Sequence, residues 1–217
     1  MRESDKNSGN PKIWKKKPRQ DRSKNTVNCI LEAARKIFSE YGFQETKSED
    51  IAKRAGVGVA SLYDYFPNKT AIATALVETV TFDIIDDVRN IFLVNTYESD
   101  SFRTGLPIVV ERIYENYKNN KDVLIVLISE VPDLKNSHLY SIERLIHQAS
   151  QIFLRMYWDE IPINNLHKAH AFINLVFTAS IKEYISTRTP ELNEDEFLKE
   201  ITELILTYLT QPQGSIE

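Results

Sequence analysis

The chain has 217 residues, a net charge of −4, 42% hydrophobic residues, only 6 Gly and 8 Pro, and a single cysteine, Cys29. This length allows one sizeable core, or a small head on a larger body, and the composition excludes wholesale disorder. A lone thiol excludes a disulfide framework and a cysteine-rich zinc site and fits a reducing cytoplasm; no apolar stretch approaches the ~20 residues of a membrane span.

The net charge conceals a division. Residues 1–69 carry 15 Lys/Arg against 9 Asp/Glu, a balance of +6, while residues 70–217 carry 12 against 22, a balance of −10. A basic head on an acidic body implies that the head is the part that meets a polyanion. Solvated helix faces would give the same count without any partner.

In chain order, residues 1–24 read as a flexible basic arm with the run Lys15-Lys16-Lys17-Pro18-Arg19 and little apolar material beyond Ile13 and Trp14. The first residues lead to no apolar run of signal-peptide length. Thr26 is expected to cap a helix to about Tyr41, with Ile30, Ala34, Ile37, Phe38 and Tyr41 at helical spacing and Gly42 as its stop. Thr46-Lys47-Ser48-Glu49 matches a capping box, with Thr46 as N-cap. A short helix through Ile51, Ala52 and Ala55 follows, then the break Gly56-Val57-Gly58. A second short helix runs from about Val59 to Tyr65 and ends at Pro67-Asn68. Two short helices joined by a Gly-containing three-residue turn are the signature of a helix-turn-helix.

The remainder reads as long helices at about 69–94, 107–118, 121–130, 137–158, 165–188 and 193–209, with Asn193 and Glu196 as a cap-like pair. The expected fold is all-α: a three-helix head with the helix-turn-helix at 25–69 and a helical body at 70–217. The last two helices carry apolar stripes wider than one contact needs: Phe172, Ile173, Val176 and Phe177 on the first, Ile201, Leu204, Ile205 and Tyr208 on the second. Two such helices from each subunit would make a four-helix interface in a homodimer.

Three segments resemble the TetR family of bacterial transcriptional regulators: ILEAARKIFSEYGF at 30–43, TKSEDIA at 46–52 and AGVGVASLYDYFPNKTAIATAL at 55–76. The resemblance implies a DNA-reading head and an effector-binding, dimerising body. It also implies that Thr46, Lys47, Ser48, Tyr63, Tyr65 and Lys69 touch DNA. The chemistry of the residues points the same way. Val59 and Ala60 can meet a thymine methyl, Ser61 can bond a base edge, the two tyrosines can reach phosphate or base edges, and Lys69 can neutralise a phosphate. Ile51, Ala52, Val57, Leu62 and Phe66 are expected in the core, and Arg35, Lys53 and Arg54 on solvated faces. Three positions depart from the family's habit. Ser48 stands where an apolar residue is usual, Gly58 replaces a frequent Ser N-cap, and Asp64 puts a negative charge in the reading helix.

In the body, Phe82, Ile85, Phe92, Tyr114, Tyr117, Phe153, Tyr157, Trp158 and Phe172 are candidates to line a cavity or simply to pack the core. His167 and His170 lie i, i+3, but no third ligand is evident, so no metal and no cofactor are expected. No phosphate-binding loop or nucleophile motif occurs, and the chain is not read as an enzyme. The leading expectation is a cytoplasmic homodimeric repressor of double-stranded DNA, bound to a near-palindromic operator and released by a small-molecule effector of unknown identity. The alternatives are a DNA-binding regulator or organiser whose body takes a protein partner and, remotely, an all-helical enzyme.

Overall fold

The computed structural model describes residues 13–16, 18–94, 100–131, 139–162, 166–187 and 191–210; the side chains of 88–89, 91–94 and 139–145 lie outside the description. All regular structure among the described residues is helical. The chain forms two compact units, 1–78 and 79–217. The boundary falls inside one helix rather than at residue 70.

The head unit holds α1 (Asp21–Glu45), α2 (Ser48–Arg54), α3 (Val59–Tyr65) and the first turns of α4 (Lys69–Val94). Helix α1 starts five residues before the expected cap. Gln20 and Ser23 close a reciprocal box, so residues 21–24 are helix rather than arm, and Thr26 sits inside the helix with its hydroxyl donating to the Arg22 carbonyl. Gly42 does interrupt α1, at φ 77°, in the left-handed region that penalises a Cβ. The core is most of the expected apolar stripe: Ile30, Ala34, Ile37 and Phe38 of α1 are buried, as are Ile51 and Ala52 of α2 and Leu62 of α3, while Tyr41 is exposed.

The body unit holds the rest of α4, then α5 (Phe102–Asn119), a π-helical stretch Asp122–Leu127 running into the short α6 (Ile128–Glu130), α7 (Leu139–Met156), α8 (Leu166–Thr187) and α9 (Glu194–Thr210). Helix α5 packs on α8 and α9, and α7 packs on α8. Helix α5 begins at Phe102 and not near Pro107. Ser101 Oγ accepts from the Thr104 N–H, and the Glu160 carboxylate accepts from the Phe102 N–H, so the start is capped twice and the proline is carried inside. The Asn193 cap is present: Asn193 Oδ1 accepts from the Glu196 N–H at 3.0 Å while Glu196 Oε2 accepts from the Asn193 N–H at 2.9 Å.

Aromatic groups carry much of the body core. Phe102, Phe153 and Tyr157 form one cluster, and Tyr184 stacks on Phe197 at 4.1 Å beside Tyr114. An ion pair from Lys118 to Glu194, 2.7 Å, joins α5 to the start of α9. Of the cavity candidates, Tyr114, Tyr117, Phe153 and Tyr157 are buried, Ile85 is half-buried, and Phe82, Trp158 and Phe172 are exposed; the side chain of Phe92 lies outside the described residues. The stripes of α8 and α9 divide as well. Phe177, Ile173, Ile201 and Ile205 are buried within the subunit, whereas Phe172 and Leu204 are exposed, as is Leu175 outside the stripe, with Phe172 against the Tyr208 ring.

Candidate nucleic-acid interface

Seven residues of α2 and seven of α3 are too few to be stable helices alone, so the geometry between them has to be imposed. The turn does part of this. Gly56 adopts φ 68°, its N–H donates to the Lys53 carbonyl, and the Val57 N–H donates to the Ala52 carbonyl. This is the paired 5→2 and 6→1 arrangement that stops a helix at a left-handed residue, and it satisfies two otherwise orphaned carbonyls. Space is not the constraint at Gly56, since an added Cβ would meet nothing within 4 Å; the backbone conformation is.

Helix α3 is then pinned by Leu62, and the chain just after it by Phe66, both fully buried. That anchoring turns Val59, Ala60, Ser61 and Asp64 to solvent and leaves Tyr63 and Tyr65 half-buried. Small side chains at the N-terminal end of an exposed helix are what a major groove admits. Gly58 is the N-cap of α3 and supplies no side-chain bond. Asn68 caps the following helix, its Oδ1 accepting from the Ala71 N–H at 2.8 Å.

Three expected DNA contacts are placed differently. The Lys69 ammonium donates to the carbonyls of Phe43 (2.5 Å), Gln44 (3.0 Å) and Thr46 (2.8 Å), and lies 4.4 Å from the Phe43 ring centroid. All three of its donors are used to close the C-terminal end of α1. Lys69 is a latch inside the head in this geometry. Thr46 is buried, and its hydroxyl donates to the Gly42 carbonyl at 2.7 Å; the N-cap of α2 is Lys47, which makes no side-chain cap bond, so the expected capping box does not form. Ser48 is buried at the start of α2, filling the place where an apolar residue is usual. Lys47 is exposed beside it. Arg54 is not simply solvated either: its guanidinium makes two bonds to Glu40, at 2.5 and 2.7 Å, tying α2 to α1 and holding the Glu40 carboxyl below its ordinary range.

One part of the surface was not anticipated. The Trp14 ring packs on Phe66 at 4.9 Å between centroids, and the Lys15 N–H donates to the Tyr65 carbonyl at 2.8 Å. The segment before α1 is thereby docked at the end of the reading helix. Between them runs a groove lined by Lys16, Arg19 and Arg22 on one side and Ser61, Asp64 and Tyr65 on the other. Trp14, an isolated large apolar residue in a basic stretch, was the sequence signal for this docking.

The profile of the family described as bacterial regulatory proteins, tetR family, matches residues 30–76, the segment just described. Residues 30–76 form a TetR-type helix-turn-helix head. Its curated relatives include the HTH-type transcriptional regulator YvdT of Bacillus subtilis, 25% identical over 86% of this chain and 94% of that protein. IcaR of Staphylococcus epidermidis, a negative transcriptional regulator of the biofilm operon icaADBC, is 28% identical over 68% of this chain and 76% of its own length. Among solved structures, a TetR-family regulator from Mesorhizobium loti superposes with a TM-score of 0.69 at 16% identity, covering 88% of this chain and 98% of the other. FadR of Bacillus subtilis, solved in complex with stearoyl-CoA, superposes with a TM-score of 0.60 at 16% identity over 86% and 99%. These solved structures share the helical fold of this chain over most of its length. Among the described residues, no helix is long and apolar enough to cross a membrane, and no group of three or more His, Cys, Asp or Glu could hold a metal ion.

Proposed function

We propose that this TetR-type regulator is a cytoplasmic repressor that binds a near-palindromic DNA site as a homodimer and leaves it when its body takes up a small molecule. The observation that carries the DNA reading is the exposed run Val59-Ala60-Ser61 at the start of a helix whose other face is pinned by fully buried Leu62 and Phe66. Lys47, Tyr63 and Tyr65 flank that run and supply phosphate or base-edge contacts. The dimer reading is supported by Phe172, Leu175 and Leu204, large apolar side chains that the isolated subunit leaves exposed on α8 and α9. Repression is supported by IcaR, a negative regulator, and a small-molecule effector by FadR, whose similar fold was solved with stearoyl-CoA. An effector acts by binding more tightly to a body conformation whose two heads no longer match the half-sites.

Selecting genomic fragments bound by the full chain tests this directly. The expected result is an enriched two-fold symmetric sequence with half-sites about one helical turn apart, or a multiple of that. Fragments with no shared motif would favour a DNA-organising role instead. A metabolite screen that releases no DNA would favour a protein partner for the body.

A further inference from the structure

The wall of the body's apolar crevice contains a polar cluster. The crevice lies between α5, α7, α8 and α9, walled by side chains such as Ile113, Phe153 and Leu209, and its polar lining is Ser150, His170 and Asn174. Among the described residues, no Lys, Arg, Asp or Glu lines it. Ser150 Oγ sits 2.7 Å from His170 Nε2, 3.2 Å from Asn174 Nδ2 and 3.1 Å from the His147 carbonyl. One arrangement satisfies all three contacts: the hydroxyl donates to the carbonyl, and its oxygen accepts from Asn174 Nδ2–H and from His170 Nε2–H. His170 is then the Nε2–H tautomer, and Nδ1 bears a bare lone pair. That Nδ1 is buried and has no hydrogen-bond partner among the described residues. Burial, with His147 and His167 nearby, pushes the imidazole down to about 4, so the lone pair persists at neutral pH.

We propose that His170 is the polar anchor of an effector site in this crevice, and that the occupant is an uncharged apolar molecule carrying an O–H or N–H donor. The proposal rests on the ligand-responsive reading above and adds the chemistry of the ligand. An acceptor without its own proton would face the lone pair and gain nothing, and an anion would find no cation among the described lining residues. A buried acceptor left unpaired is costly, and a donor that reaches it recovers that cost. The crevice holds about 50 Å³ of free space, well under the ~150 Å³ that admits a benzene ring. The occupant therefore has to part the helices, which makes it selective for an altered body, as a two-state effector must be.

The test uses full-length protein labelled with ¹⁵N-histidine and three matched probes: 4-ethylphenol, 4-ethylanisole and 4-ethylbenzoate. Without a probe, the His170 spectrum should show a protonated Nε2 and an unprotonated Nδ1; a protonated Nδ1 overturns the proposal. The phenol should shift Nδ1 and bind at least about tenfold more tightly than its methyl ether, the scale of one hydrogen bond. Equal binding of phenol and ether, preference for the benzoate, or no phenol binding at millimolar concentration would each overturn it. His170→Phe should abolish the preference for the phenol; if that variant does not fold, the wild-type histidine spectrum still decides. Operator release is measured in parallel. Phenol binding at His170 without release keeps the site and ends the ligand-response reading. Release by another compound, undiminished in His170→Phe, keeps that reading and ends the site.

Discussion

The head and the body are both helical, yet they are held in shape by different means. Backbone groups tie the head together: the Gly56 turn joins two helices too short to persist alone, the three carbonyls gathered by Lys69 close the end of α1, and Asn68 caps α4. Long helices make up the body, packed through aromatic clusters and capped at their ends by Ser101 and Asn193. The difference matches what the proposed function asks of each unit. A reading helix has to present Val59, Ala60 and Ser61 at a fixed place, and directional bonds to backbone fix position. A body that responds to a ligand has to exchange one packing for another, and apolar side-chain contacts allow that.

Splitting the dimer should give the largest effect. Because Phe177 is buried within the subunit, a charge there would unfold the body and report nothing about assembly. Leu175 and Leu204 are 68% and 48% exposed, so Leu175→Glu with Leu204→Glu tests the interface alone. The expected product is a folded half-mass species whose affinity for the two-fold site falls by about 10²–10⁴, the avidity of a linked pair. Sedimentation with circular dichroism checks it; a wild-type monomer at micromolar concentration would end the dimer reading.

Lys69→Ala should destabilise the head by about 2–3 kcal/mol, since three carbonyls lose a charged donor at once. Thermal unfolding measures the loss. The salt dependence of DNA binding by the folded fraction should not change. A slope lowered by about 1.8, two phosphate contacts in a dimer, would restore Lys69 to the DNA surface and refute the latch. Ser61→Ala should shift preference among binding sites by about 1–3 kcal/mol at one base pair per half-site, read from a randomised site library. An unchanged preference would leave base reading to Val59, Ala60 and the tyrosines.

The sequence showed most of the helices and the exposed face of α3, because burial repeats at helical spacing and the caps are local. Helix α4 spans Lys69–Val94 as its apolar period predicts, and the Asn193–Glu196 pair caps α9. Errors arose where a residue's partner is distant or is backbone. The carbonyls that occupy Lys69 lie 23 to 26 residues earlier, and no side-chain pattern announces them. Thr46 has the right spacing to Glu49 for a capping box, but the helix starts one residue later with Lys47 as N-cap, and the Thr46 hydroxyl donates to the Gly42 carbonyl. Pro107 read as a helix start because proline is common there, while Ser101, the true cap, stands six residues upstream. His170 meets Ser150 and Asn174 meets Ser150 across 20 and 24 residues, a separation that hides the cluster from any linear reading.

The smallest expected effect concerns the arm, which belongs to the head in space though not in composition. A basic tail can raise DNA affinity merely by raising local charge, or it can do so because it is held in place. Trp14 separates the two. Its ring rests on Phe66, and the adjoining Lys15 N–H donates to Tyr65, which places Lys16, Arg19 and Arg22 along the groove that also holds Ser61. Trp14→Ala removes no charge, so a tethered tail would bind DNA as before. A docked strap would instead lose affinity severalfold, on the scale of an aromatic pair worth about 0.5–1.5 kcal/mol. Its salt slope would drop by up to about 0.9 for each phosphate contact released. The charge-removing pair Lys16→Ala with Arg19→Ala should lower affinity and slope under either picture. Binding isotherms at two salt concentrations distinguish the outcomes. Loss in both variants supports the docked strap; loss only in the charge-removing pair shows a tether. Loss in neither, with full activity after deleting residues 1–20, means that the basic segment is a solvated tail and that the head's DNA surface begins at α2.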